Sequence, residues 1–176
     1  MELGSSPIDF NLQGVDGNTY SLKNFADKKY LAIMFSCNHC PYVIASEREF
    51  VQIQSDFGDQ GFQLVAINPN DEVTYPTDSF DNMVKRAEEK KFNFPYLRDK
   101  TQEVAKKYNA GRTPEIYLYN EERKLVYYGR INDNPKFHDE ITRYDLRQAV
   151  SELVEGKKVS MPWTQALGCS IKWVQN

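Results

Sequence analysis

The chain has 176 residues, 40% hydrophobic and 27% charged, with a formal net charge of -3 at pH 7. That length suits one domain whose core needs no disulfide staples, and three cysteines are too few for a secreted disulfide scaffold. The acidic balance excludes the clustered basic face of a nucleic-acid binder.

Asp9 to Leu12, the turn pair Asp16-Gly17 and Asn18-Thr19-Tyr20 predict a short hairpin, because Asp-Gly supplies the positive φ its turn requires. Residues 21–25 predict one helical turn. Tyr30-Leu31-Ala32-Ile33-Met34-Phe35 is an unbroken apolar run between polar flanks, the pattern of a central strand buried on both faces. Residues 38–57 then predict an amphipathic helix stopped by Gly58, and Phe62 to Ile67 a second strand. That β-α-β order implies parallel strands joined by a right-handed crossover. A polar loop over 68–77 leads to a helix over 78–91, with Asp78 or Ser79 as its cap. Its charges, Lys85-Arg86, Glu88-Glu89 and Lys90-Lys91, predict a solvated face. Residues 95–97 are extended, and 101–108 form a short helix capped by Thr101. Glu115 to Tyr119 and Lys124 to Tyr128 make an antiparallel hairpin. A last helix over 142–155 buries Leu146, Ala149, Val150, Leu153 and Val154, with Gly156 just beyond it.

The expected architecture is α/β: a mixed central sheet flanked by helices, with an N-terminal hairpin extension. We expect one domain, with a core over 7–155 and an irregular tail over 156–176 packed back on it. No apolar run approaches the ~18–20 residues that span a bilayer. The start, Met1-Glu2-Leu3-Gly4-Ser5-Ser6-Pro7, lacks the basic and apolar regions of a signal peptide. A cytoplasmic location without membrane or nucleic-acid partners is expected.

Cys37-Asn38-His39-Cys40 sits where the first central strand meets its helix. A cysteine at a helix N-terminus faces unpaired N–H groups and the positive end of the dipole, which favour a thiolate. Cys37 is therefore the expected nucleophile. Cys40, one turn on, is placed to attack a mixed disulfide and release product. Pro41 fits the first helical position. A cationic His39 between the cysteines stabilises the reduced form and makes the disulfide more oxidising, while Asn38 offers only local hydrogen bonds. Zinc is the competing use of such a pair, but its further ligands would have to come from Cys169, His39 and the distant His138. Cys169 itself reads as a packed thiol, a resolving cysteine or an intermolecular partner. Arg112 is either a thiolate-stabilising charge or a loop arginine, and Glu115 either a proton acceptor for Cys40 or a solvated carboxylate.

Phe35-Ser36-Cys37-Asn38-His39-Cys40-Pro41 together with Gly111-Arg112-Thr113-Pro114 resembles the thioredoxin superfamily. The resemblance is to its redoxin branch, which holds the alkyl hydroperoxide reductase/thiol-specific antioxidant family and the TlpA/ResA-like proteins, and spans about residues 7–155. It implies a cis bond before Pro114, facing the dithiol, and an exposed Thr113 backbone that pairs with an extended substrate. Met34 stands where a peroxiredoxin of this kind carries a threonine three residues before its peroxidatic cysteine. The expectation is thus a thiol–disulfide oxidoreductase acting on a protein or small-molecule disulfide or thiol, served by an unidentified electron donor, with no cofactor and no metal. A thiol peroxidase is the first alternative and a non-enzymatic metal-binding module the second.

Overall fold

Side-chain alternation along the central strands sets the layers. The computed structural model describes residues 1–175. Its elements are β1 (Leu12–Gly14), β2 (Thr19–Tyr20), β3 (Tyr30–Phe35), α1 (Pro41–Phe57), β4 (Phe62–Asn68), α2 (Phe80–Glu89) and β5 (Tyr96–Arg98). There follow α3 (Glu103–Lys107), β6 (Arg112–Thr113), β7 (Glu115–Tyr119), β8 (Leu125–Gly129), α4 (Asp145–Val154) and β9 (Cys169–Ser170). Seven strands form one sheet in the order β2-β1-β5-β4-β3-β7-β8. Its centre, β5-β4-β3, is parallel, and the hairpins on either side are antiparallel. This is the mixed α/β sandwich of the thioredoxin-like fold.

Successive strand residues point to opposite faces. Ala32 and Met34 join Leu64, Ala66, Ile116 and Leu118 beneath α1, α2 and α4. Leu31, Ile33 and Phe35 join Val65, Ile67, Tyr117 and Tyr119 on the other face, covered by α3, Phe10, Phe25 and Ile171. Each fully buried Leu, Ile or Phe stabilises the fold by about 1.5–3 kcal/mol, so the six apolar residues of the β3 run anchor both layers. Ile171 belongs to the tail and is 3% exposed, which fixes that segment on the sheet. Among the described residues, no helix is long and apolar enough to cross a membrane.

Several boundaries depart from expectation for local reasons. Helix α1 starts at Pro41, not at residue 38, and Cys40 is its cap residue. Of the two expected caps of α2, Ser79 takes the role, its hydroxyl accepting the Asn82 N–H at 3.2 Å. Helix α3 opens on Gln102 in the left-handed region, φ 65°, and the Thr101 hydroxyl accepts the Glu103 N–H at 3.4 Å, as expected of its cap. The predicted solvated face of α2 is only partly so. Arg86 turns inward and its Nε donates to Glu47 Oε2 at 2.7 Å.

One half-buried carboxylate on α1, Glu49, makes stability depend on pH. Burial pushes Glu49 from 4.5 up to about 7, opposed by the hydrogen bond from Asn132. Between those two values the folded chain binds a proton that the unfolded chain has lost. Stability therefore falls as pH rises through this window, by up to about 3 kcal/mol. Glu49→Gln is expected to remove that decline and to raise stability at pH 8, measured by urea melts at several pH values. A variant whose melts keep the wild-type slope between pH 4.5 and 7 would assign the dependence elsewhere.

Candidate active site

The dithiol lies at the carboxyl ends of the parallel strands, where α/β sheets place their sites. The Ser36 N–H still donates to the Ile67 carbonyl at 2.8 Å, and the chain then leaves the sheet. Cys37 and Cys40 follow, 2% and 1% exposed, both as free thiols. From the antiparallel side, the run into β7 brings Thr113 and Pro114, joined by a cis peptide bond. Thr113 touches both sulfurs. Its Oγ1 is 3.4 Å from Cys37 Sγ, and its carbonyl is 3.2 Å from Cys40 Sγ. The Cys40 N–H donates to Cys37 Sγ at 3.4 Å.

Each thiol of the pair shifts the other. The hydrogen bond from Cys37 brings the Cys40 thiol down to about 4, against the opposing effect of burial and with help from the Val43 N–H. That same bond, burial and the Asp78 carboxylate push Cys37 up. Two smaller contributions are hidden from the motif. The helix starts late enough that Cys40 occupies its cap, and a carboxylate 41 positions from Cys37 in sequence faces the first sulfur. Cys37 is nonetheless equipped to carry the charge. The Thr113 hydroxyl and the Cys40 N–H then donate to it, and the Thr113 carbonyl accepts the Cys40 S–H.

Asp78 is the site residue that sequence reasoning missed, having been placed as a helix cap. It is fully buried. Its Oδ1 accepts from the Asn38 N–H at 2.7 Å and from Asn68 Nδ2 at 3.2 Å; its Oδ2 accepts from Asn70 Nδ2 at 3.0 Å. His39 Nδ1 lies 2.6 Å from the same Oδ2, and its ring stacks on Tyr75 at 6.0 Å. His39 thus stands between Asp78 and the first thiol, with a ring nitrogen within 4.8 Å of the Cys37 sulfur. Asn38 does far more than bond locally. Its side chain donates to the Thr77 carbonyl at 2.9 Å and accepts the hydroxyl of buried Tyr96 at 2.7 Å. The one available signal for this network was the cluster Asn68, Asn70 and Asp78 in a loop directly after a core strand.

Cys37, His39 and Asp78 place one ligand atom each within 4.8 Å of one another, the metal-capable group among the described residues. Both Asp78 oxygens already accept side-chain or backbone donors, so a metal would have to displace them.

The remaining candidates fall outside the reacting set. Arg112 donates to the Gly168 carbonyl at 3.1 Å instead of facing a thiolate. Glu115 accepts the Gly111 N–H at 2.8 Å, and burial raises its carboxyl. The Thr113 backbone, expected to be open, is paired: β6 and β9 run antiparallel with Thr113 opposite Cys169. Gly168 is essential to this approach, since a Cβ there would stand 2.1 Å from the Thr113 carbonyl oxygen. Cys169 is half-buried beside Cys40, and burial together with Cys40 pushes its thiol up to about 11.

A strand–dithiol–helix junction opposite a cis proline, on this sheet, defines a thioredoxin-like redoxin. The AhpC/TSA family model matches residues 3–128, and the chain belongs to the AhpC/TSA family. A hypothetical protein from Sinorhizobium meliloti has the same fold, with TM-score 0.94, 36% identity and coverage of 100% of this chain and 97% of that one. An uncharacterized conserved protein from Geobacillus kaustophilus is 41% identical, with TM-score 0.93 over 99% of this chain and 94% of that one. The thioredoxin domain of a thiol-disulfide oxidoreductase from Bacteroides vulgatus shares the fold at 20% identity, with TM-score 0.64 over 79% and 95% of the two chains. No curated protein matches the sequence.

Proposed function

We propose that this redoxin is a thiol–disulfide oxidoreductase whose Cys37–Cys40 pair cycles between dithiol and disulfide. The observation that carries this reading is a buried dithiol whose two sulfurs both contact Thr113, the residue before a cis proline. The cycle starts from a Cys37 thiolate held by the Thr113 hydroxyl and the Cys40 N–H. The thiolate attacks one sulfur of a protein or small-molecule disulfide, expelling the other as thiolate. Cys40 then gives its proton to the expelled thiolate and attacks Cys37, which releases the second substrate sulfur as thiolate and leaves the Cys37–Cys40 disulfide. An external thiol donor returns the pair to the dithiol.

Peroxide reduction is the competing chemistry within the family. Against it stand Met34 in the threonine position and Arg112 turned to the tail. Cys37→Ser and Cys40→Ser are each expected to lower turnover in a dithiothreitol-coupled insulin-reduction assay by about 10²-fold or more. Wild-type turnover in either variant would overturn the dithiol cycle. Rapid, saturable oxidation by hydrogen peroxide in stopped flow would favour the peroxidase.

A further inference from the structure

The tail does more than cover the core. β9 lays Cys169 directly opposite Thr113, the residue that contacts both dithiol sulfurs. The Cys169 side chain packs beside Cys40. The strand is pinned on both sides of this thiol. Before it, Gly168 sits against the Thr113 carbonyl and accepts from Arg112. After it, the Ile171 N–H donates to the Gly111 carbonyl at 2.9 Å and the Lys172 N–H to Asn70 Oδ1 at 2.9 Å. The Lys172 carbonyl accepts from Asp71 N–H at 2.8 Å and from Gln102 Nε2 at 2.9 Å. Three thiols therefore gather about Thr113, and of these only Cys169 has appreciable contact with solvent.

We propose that Cys169 is a third redox thiol of this site, exchanging with the Cys37–Cys40 disulfide to form Cys40–Cys169. The step rests on the dithiol cycle proposed above. The Cys169 thiolate attacks Cys40 Sγ, the Cys37–Cys40 bond breaks, and Cys37 leaves as a thiolate that takes the proton Cys169 gave up. One disulfide is exchanged for another, so no outside oxidant is consumed. Fixing the two sulfurs side by side makes the reaction unimolecular, which is the main advantage an enzyme gives such a step. The exchange moves the oxidised bond from the buried pair to the half-buried sulfur, where a thiol donor can reach it.

Full-length wild type, Cys37→Ser and Cys169→Ser are oxidised with diamide, quenched with N-ethylmaleimide, and their disulfides mapped by peptide mass spectrometry. Wild type is expected to give both Cys37–Cys40 and Cys40–Cys169. Cys37→Ser should form Cys40–Cys169 within one chain, at a rate independent of protein concentration. Cys169→Ser should give Cys37–Cys40 alone. Free Cys169 in oxidised Cys37→Ser, with Cys37–Cys40 still forming in wild type, overturns the third thiol and leaves the dithiol cycle standing. Absence of Cys37–Cys40 from both wild type and Cys169→Ser overturns the cycle, and the exchange with it.

Discussion

Asp78→Asn is expected to weaken the fold and quicken the dithiol at the same time. The carboxylate accepts from Asn38, Asn68 and Asn70 with no exposure to water, and an amide nitrogen in its place confronts donors with a donor. Removing one member of such a buried charged network costs about 3–5 kcal/mol, read as a shift in the urea midpoint. The second effect has the opposite sign. Asp78 pushes the Cys37 thiol up through its negative charge, so the variant should ionise Cys37 at lower pH and react faster with iodoacetamide near neutrality. Reactivity is to be measured well below the denaturation midpoint, where the variant is folded. If stability falls while the pH profile of Cys37 alkylation stays put, Asp78 is a structural anchor without influence on the chemistry.

Gly168→Ala has the next largest expected effect. The added Cβ would stand 2.1 Å from the Thr113 carbonyl oxygen, and the neighbouring backbone at Pro114 leaves no room to yield. Overpacking of this kind costs about 1–3 kcal/mol. The strain is relieved most easily by detaching β9, since a two-stranded pairing is the weakest unit of the fold. Alkylation of Cys37 and Cys40, both almost fully buried in the native chain, should then accelerate by about tenfold or more. Unchanged protection of the two thiols would mean that the tail does not shield them.

The sequence made the sheet and the dithiol readable because both rest on local pattern. The β3 run alternates its side chains between two cores, and the Cys-x-x-Cys spacing needs only a strand before it and a helix after it. The electrostatics were not readable in the same way. Asp78 looked like a cap because an acidic residue before a helix normally is one; Ser79 took that role, which left the carboxylate free to turn inward. Tyr96 reaches Asn38 across 58 positions, and Cys169 reaches Thr113 across the sheet from the tail. Pairings at such separations are set by topology, and no periodicity announces them.

The short pairing of β6 with β9 also bears on how the chain behaves in company. A strand edge with free N–H and C=O groups is a template for another chain's strand, and at β6 that edge lies directly over two thiols. A neighbouring molecule that paired there would be held first by backbone hydrogen bonds and then, by disulfide exchange, covalently. By filling the edge with its own Cys169 and Ser170, the chain protects itself against adding strands from its neighbours at the place where such additions would be hardest to reverse.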